Sequence, residues 1–142
     1  MNPGVREKER GYPFVGGAGR LFESEVINRF GIGREPTIEV DGFDFSLSGD
    51  FYLTNVVKCW TADNADPPSD AIKHCWNHLR PELEGRRIIV PMGRLAQVAV
   101  AKYYKGPAEI FRMIHPSAAQ YKGKYHARLI QDAKNLSNVL SQ

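Results

Sequence analysis

Hydrophobic and polar positions change period several times along the chain, and each change marks an element. Leu21, Phe22, Val26, Ile27 and Phe30 recur at helical spacing, and Gly31 stands where a C-capping glycine ends a helix. This predicts about three helical turns over 21–30. Residues 51–57 are β-branched and aromatic with almost no charge, and residues 87–91 repeat that composition. Both read as strands buried on two faces in a parallel sheet. Between them, Pro67-Pro68-Ser69-Asp70 leads into Ile72, Trp76 and Leu79, a helix opened by a Ser or Asp N-cap. A further helix over 93–104 packs through Leu95, Val98 and Ala99, and a third strand covers 109–114. The closing helix runs from Lys124 or Tyr125 to Leu140, with Leu129, Ala133, Leu136 and Leu140 on one face.

Two stretches carry turn chemistry instead of a period. The first 20 residues hold Pro3, Gly4, Gly11, Pro13, Gly16, Gly17 and Gly19 and predict a shaped loop. Residues 38–49 mix Asp41, Gly42, Asp44 and Ser48 with isolated aromatics and predict a turn between short extended pieces. The alternation of helices and strands implies an α/β fold, a parallel sheet covered by helices on both faces. Such sheets bind ligands beyond the carboxyl ends of their strands, which directs attention to residues 58–66, 92–93 and 115–124. The chain also opens in what reads as a post-strand loop, with no strand before it.

Composition narrows the class. At 142 residues, 42% hydrophobic and 25% charged, the chain fits a single domain, 1–142. No apolar run approaches the roughly 20 residues that span a bilayer, and no basic-then-apolar leader opens the chain, so a soluble intracellular protein is expected. The net charge of +3 suits a polyanionic partner without requiring one. Cys59 and Cys75, without a secretory pattern, read as thiols or metal ligands and not as a disulfide framework; buried, unreactive thiols are the commoner role. The glycines from Gly16 to Gly19 lack the Lys-Ser/Thr of a phosphate-binding loop and do not make a dinucleotide fingerprint. An unrelated nucleotide-binding domain is therefore poorly supported by these residues.

Four separated segments, in order, resemble the uracil-DNA glycosylase superfamily, particularly its iron-sulfur, family 4-like branch. They are Asn2-Pro3-Gly4 with the run 11–21 (GYPFVGGAGRL); 53–59 (LTNVVKC) with Cys75 sixteen positions later; 88–93 (IIVPMG); and His115-Pro116-Ser117. The resemblance implies a three-layer α/β/α sandwich with a short parallel sheet, and a DNA glycosylase that hydrolyses the N-glycosidic bond of uracil or a related modified base. A glycosylase must extrude its base, grip it by edge hydrogen bonds and an aromatic face, and set water against the sugar carbon. On that resemblance Phe14 stacks on the base near Gly4, Asn55 pairs with its edge through one donor and one acceptor, and His115 assists the leaving group. Asn2 orients the water, as an Asn in this position does in the mismatch-specific and single-strand-selective branches. The family 4 pattern instead has an acidic residue one place earlier, where this chain has Met1, and a mainly acidic run where this chain has Arg6, Glu7 and Lys8. These departures predict a slow enzyme, or a catalytically impaired relative that binds DNA or protein through the same groove.

The same resemblance makes Cys59 and Cys75 half of an iron-sulfur site, since four thiolates hold a cubane cluster and another Cys pair lies upstream of the first motif in the family. A cluster is expected only if that pair is supplied. The family's first strand, central to its sheet, also lies upstream; a longer chain, or a strand supplied by a partner, is the expected remedy. DNA is the implied partner. Ser117, Gln120, Tyr121, Lys122 and Lys124, followed by Tyr125, His126 and Arg128, would line its groove, with Gln120 or Tyr121 as a wedge into the gap left by the flipped base. Arg94 and Lys58 are secondary phosphate candidates.

Overall fold

The computed structural model describes residues 5–10, 16–31, 33–49, 52–58, 65–121 and 123–142. At its centre β3 (Ile88–Ile89) and β4 (Glu109–Ile110) pair in parallel, and an isolated bridge from Met92 to Met113 carries the pairing one step further. Glu109 and Phe111 donate their backbone N–H to the carbonyls of Arg87 and Ile89 at 3.0 and 2.9 Å, and Met113 donates to Pro91 at 3.2 Å. Between the two strands the chain crosses over through α4 (Arg94–Tyr103), the connection a parallel pair requires.

Side chains alternate across this ribbon, so it divides two cores. Ile89 and Ile110 join Val56, Val57, Cys75, Trp76, Leu79 and the small residues of α4 on one face, where α3 (Ser69–Leu83) packs. Val90, Phe111 and Met113 turn to the other face and meet Val26, Ile27, Leu129 and Ala133. That second layer consists of α2 (Gly17–Phe22), the π-helical turn Glu23–Asn28 that continues it, and α6 (Gly123–Leu140). Helices on both faces of a parallel ribbon make the expected α/β fold. The predicted stripe of α6 is confirmed, with Leu129 and Ala133 fully buried.

Several expectations need correction. Residues 52–57 form no ladder with any described neighbour, although Val56 and Val57 are buried as a strand's would be. A strand is defined by its partner, and a cavity of about 680 Å³ separates Leu53 and Thr54 from β3. The Gly-rich start is not one loop: α1 (Val5–Arg10) is helical, and Gly16 caps α2, so the helix begins four residues before the apolar pattern announces it. The turn expected between extended pieces over 38–49 is present: β1 (Gly33–Val40) and β2 (Phe43–Gly49) form an antiparallel hairpin turned at Asp41 and Gly42, both at positive φ, and only its first strand starts earlier than expected. Arg10 reaches across to Asp41 at 2.8 Å and ties α1 to that turn. The N-cap of α3 is Pro68, and neither Ser69 nor Asp70. Val98, placed on the packed stripe of α4 by its spacing, is 56% exposed, because the helix turns Ala96, Ala99 and Val100 inward instead.

Candidate active site

The segment after β4 is held from three directions. Gln97 of α4 donates its amide to the Met113 carbonyl at 2.9 Å, and the Gly93 N–H donates to the same oxygen at 2.9 Å. Asp132, a carboxylate on the buried face of α6, accepts the Ile114 N–H at 2.9 Å. One residue on, the Ser117 backbone N–H donates to His115 Nδ1 at 3.0 Å, and the Ser117 hydroxyl lies 2.7 Å from the same nitrogen. Pro116 opens α5 (Pro116–Tyr121) in the position where a missing N–H costs a helix nothing.

These contacts fix the protonation of His115. A backbone N–H can only donate, so Nδ1 is an acceptor and the neutral ring carries its proton on Nε2. Burial pushes the imidazole pKa down to about 4, so the ring is neutral throughout the physiological range. His115 is therefore a preset neutral donor. Because the folded-state value lies below the unfolded value of 6.5, the stabilisation is complete above pH 6.5 and is lost as pH falls through 4. Denaturant titrations should lose stability between those pH values, on the order of 3 kcal/mol at most, and His115→Ala should flatten that slope.

Asp132 gives no sequence motif. Its signal is a carboxylate at the 132 position of a helical stripe otherwise made of Leu129, Ala133 and Leu136. Arg128, 3.4 Å away, supplies a partner charge. Asp132→Ala leaves the Ile114 N–H without its acceptor and should cost about 2 kcal/mol, whereas Asp132→Asn keeps an acceptor and should cost less. Thermal denaturation of the two variants checks the difference.

Of the predicted residues, Ser117 and Gly93 are the ones set directly against His115 among the described residues. Gly93, at φ +84, lies so close that a Cβ there would sit 2.9 Å from the His115 Cβ. Gln120 packs on Gly17 so closely that a Cβ on that glycine would collide with its amide, which joins α5 to the Gly-rich start of α2. Gln120 is exposed, and Tyr121 follows it in α5. Lys124 is exposed at the start of α6 with its ammonium 5.0 Å from the Tyr125 ring centroid, and Arg94 is exposed at the start of α4. Asn55 is half-buried between Thr54, which lines the central cavity, and Val56, which enters the α3 core. Asn2, Gly4, Phe14, Cys59 and Lys122 lie outside the described residues.

Two cation assignments change. Lys58 is not available to phosphate: its ammonium bonds Glu82 at 2.7 Å and also contacts the Thr54 hydroxyl. Thr54 and Tyr52 donate to the same carboxylate at 2.9 and 3.3 Å. Burial raises the Glu82 pKa, but the hydrogen bonds from Lys58 and Thr54 outweigh it and hold the carboxyl below its usual value. Arg128 divides its charge with Asp132, although its side chain is 68% exposed.

The uracil DNA glycosylase superfamily model matches residues 1–135. The chain belongs to that superfamily. Within it, the similarity is to the type-4 enzymes. The type-4 uracil-DNA glycosylase of Archaeoglobus fulgidus is 27% identical across 96% of this chain and 72% of its own length. That of Saccharolobus solfataricus is 28% identical across 98% and 68%. That of Pyrobaculum aerophilum reaches 37% over 61% of this chain and 38% of its own length. The chain thus spans roughly two thirds of the length of the first two glycosylases.

An iron-sulfur cluster does not fit the donors within residues 1–142 alone. Four thiolates are needed, and the sequence contains two cysteines. Cys75 is buried among Trp76, Leu79 and Val57 in an apolar core, and no three His, Cys, Asp or Glu side chains gather as metal ligands among the described residues. Among the described residues no helix is long and apolar enough to cross a membrane.

Proposed function

We propose that this chain acts on DNA as a uracil-DNA glycosylase, hydrolysing the N-glycosidic bond of uracil or a related modified base. The observation that carries the reading is the Ser117 N–H bonded to His115 Nδ1, which leaves the proton of a neutral, largely buried imidazole on Nε2. When the bond from the sugar carbon to the base nitrogen breaks, the electron pair leaves with the base, and a neutral N–H donor lowers the energy of that anion without first having to lose a proton itself. Water adds to the sugar carbon, supplying the hydroxyl of the product sugar, and its remaining proton balances the charge of the released base.

Asn2 would orient that water, Phe14 would stack on the extruded base beside Gly4, and Asn55 would read its edge with one donor and one acceptor. Support for Asn55 is its half-buried position on a segment that precedes a packed core, so its orientation is constrained by Val56 and Val57. Ser117, Gln120, Tyr121, Lys122 and Lys124 would form the surface against the phosphates, with the exposed Gln120 entering the vacated stack.

The experiment is release of free base from uracil-containing single- and double-stranded oligonucleotides, with binding to the same oligonucleotides measured in parallel. Base release that disappears in Asn2→Ala while binding persists supports the proposal. Binding without release from either substrate would replace it with a DNA-binding relative that has lost the chemistry.

A further inference from the structure

We infer that Asp41 and Phe43, at the tip of the β1–β2 hairpin, are positioning residues for base release, a role that rests on the proposed glycosylase activity. Together they clamp the two helices between which the segment bearing Phe14 runs. Residues 11–16 join α1 to α2, and Asn2-Pro3-Gly4 runs directly into Val5 of α1. Side chains on those segments inherit their placement from the helices that the segments enter and leave.

The two helices are unequally anchored. α2 runs on into Phe22, Val26 and Ile27 of the second core, whereas Arg6, Lys8, Glu9 and Arg10, the described side chains of α1, are all exposed. Six residues are too few for a helix to persist in water by itself, so tertiary contacts decide where α1 stands. The hairpin tip supplies such contacts. Asp41 accepts a hydrogen bond from Arg10 at 2.8 Å and lies 3.8 Å from Arg6, which also reaches Glu9 of its own helix at 3.9 Å. Two positions on, the half-exposed Phe43 ring has the Arg20 guanidinium of α2 4.0 Å from its centroid, and Arg20 Nε is buried without a hydrogen bond. A cation short of acceptors is stabilised by an aromatic face.

The turn is built to transmit position. Val40 and Phe43 are directly paired, leaving Asp41 and Gly42 as a two-residue loop with φ +52 and +81, and Val40 is buried. Placement thus passes from the core through α2, Arg20 and Phe43 to Asp41, and from Asp41 to α1. Exposed ion pairs add little to global stability, so two arginines gathered on one carboxylate serve local geometry more than folding.

Asp41→Asn isolates the charge, because asparagine keeps the left-handed conformation that the turn requires. With uracil-containing oligonucleotides its kcat should fall about 10-fold while KM stays within about twofold, since displaced helices misplace reacting groups without removing a DNA contact. The double variant Arg6→Gln, Arg10→Gln should show the same fall in kcat, and adding Asp41→Asn to it should lower kcat no further. Phe43→Leu, which keeps bulk but loses the aromatic face, should lower kcat as well. An unchanged kcat in Asp41→Asn overturns the clamp, as do additive losses in the triple variant. A raised KM at unchanged kcat would make the turn a DNA contact and overturns it too. If the wild type releases no base, the glycosylase reading fails by itself, and amide exchange decides the clamp. The Glu9 and Arg10 amides should then exchange about 10-fold faster in Asp41→Asn, with those of Leu129 and Ala133 unchanged. Equal exchange in α1 rejects it.

Discussion

His115→Ala should lower the rate of uracil release by about 10²–10³-fold while leaving binding to uracil-containing DNA in place, the usual cost of removing one preorganised donor to a developing anion. The effect falls on the bond-breaking step because the donor is matched to charge that exists only there. Nδ1 is occupied by the Ser117 N–H and its hydroxyl, so Nε2 alone is left to donate. The pH profile provides a separate check. With the imidazole pKa pushed down to about 4, the wild-type rate should show no His115 titration between pH 5 and 8. A descending limb near the ordinary histidine value of 6.5 would reject the neutral-donor assignment, and an unchanged rate in His115→Ala would remove His115 from the chemistry.

Gly93→Ala should damage the protein from a position with no chemistry of its own. Gly93 adopts φ +84, ψ 167, a conformation open in practice to glycine alone, and an added Cβ would stand 2.9 Å from the His115 Cβ. The backbone strain and the displaced neighbour together should cost about 4 kcal/mol. Since Gly93 also donates to the Met113 carbonyl, relief by movement would disturb the segment that leads into His115. The measurements are a chemical denaturation midpoint and base release below it. Gly85→Ala provides the comparison: its φ is +75 but nothing lies within 4 Å of its added Cβ, so it should show the strain and spare the activity. Equal loss in both variants would make the close approach to His115 irrelevant.

The site was legible in sequence where chemistry is local and illegible where it depends on a neighbour. His115-Pro116-Ser117 stood out through its resemblance to the superfamily's C-terminal motif, and the structure bonds the histidine to Ser117 and starts a helix at the proline. Asp132 left only a faint mark, since its partner is a backbone N–H 18 residues away that no spacing rule connects. Lys58 failed as a phosphate ligand for the same reason. Its composition and place after a strand-like run were as expected, but Glu82, on a helix folded back across that run, takes its charge.

What the sequence determined by itself is the set of elements whose signal is local: the periodicity of α3, α4 and α6, the apolar composition of β3 and β4, and the turn chemistry at Asp41 and Gly42. Helical hydrogen bonds close within four residues, so a stripe such as Leu129, Ala133 and Leu136 suffices to specify both the helix and its buried face. What only tertiary structure decided is everything that requires two edges or two distant groups to meet. Residues 52–57 carry a strand's composition but no ladder among the described residues, because a strand's hydrogen bonds belong to the chain beside it and beside this one lies a cavity. The tautomer and lowered pKa of His115 are likewise properties of burial and of its bonded neighbour, which three-dimensional packing supplies.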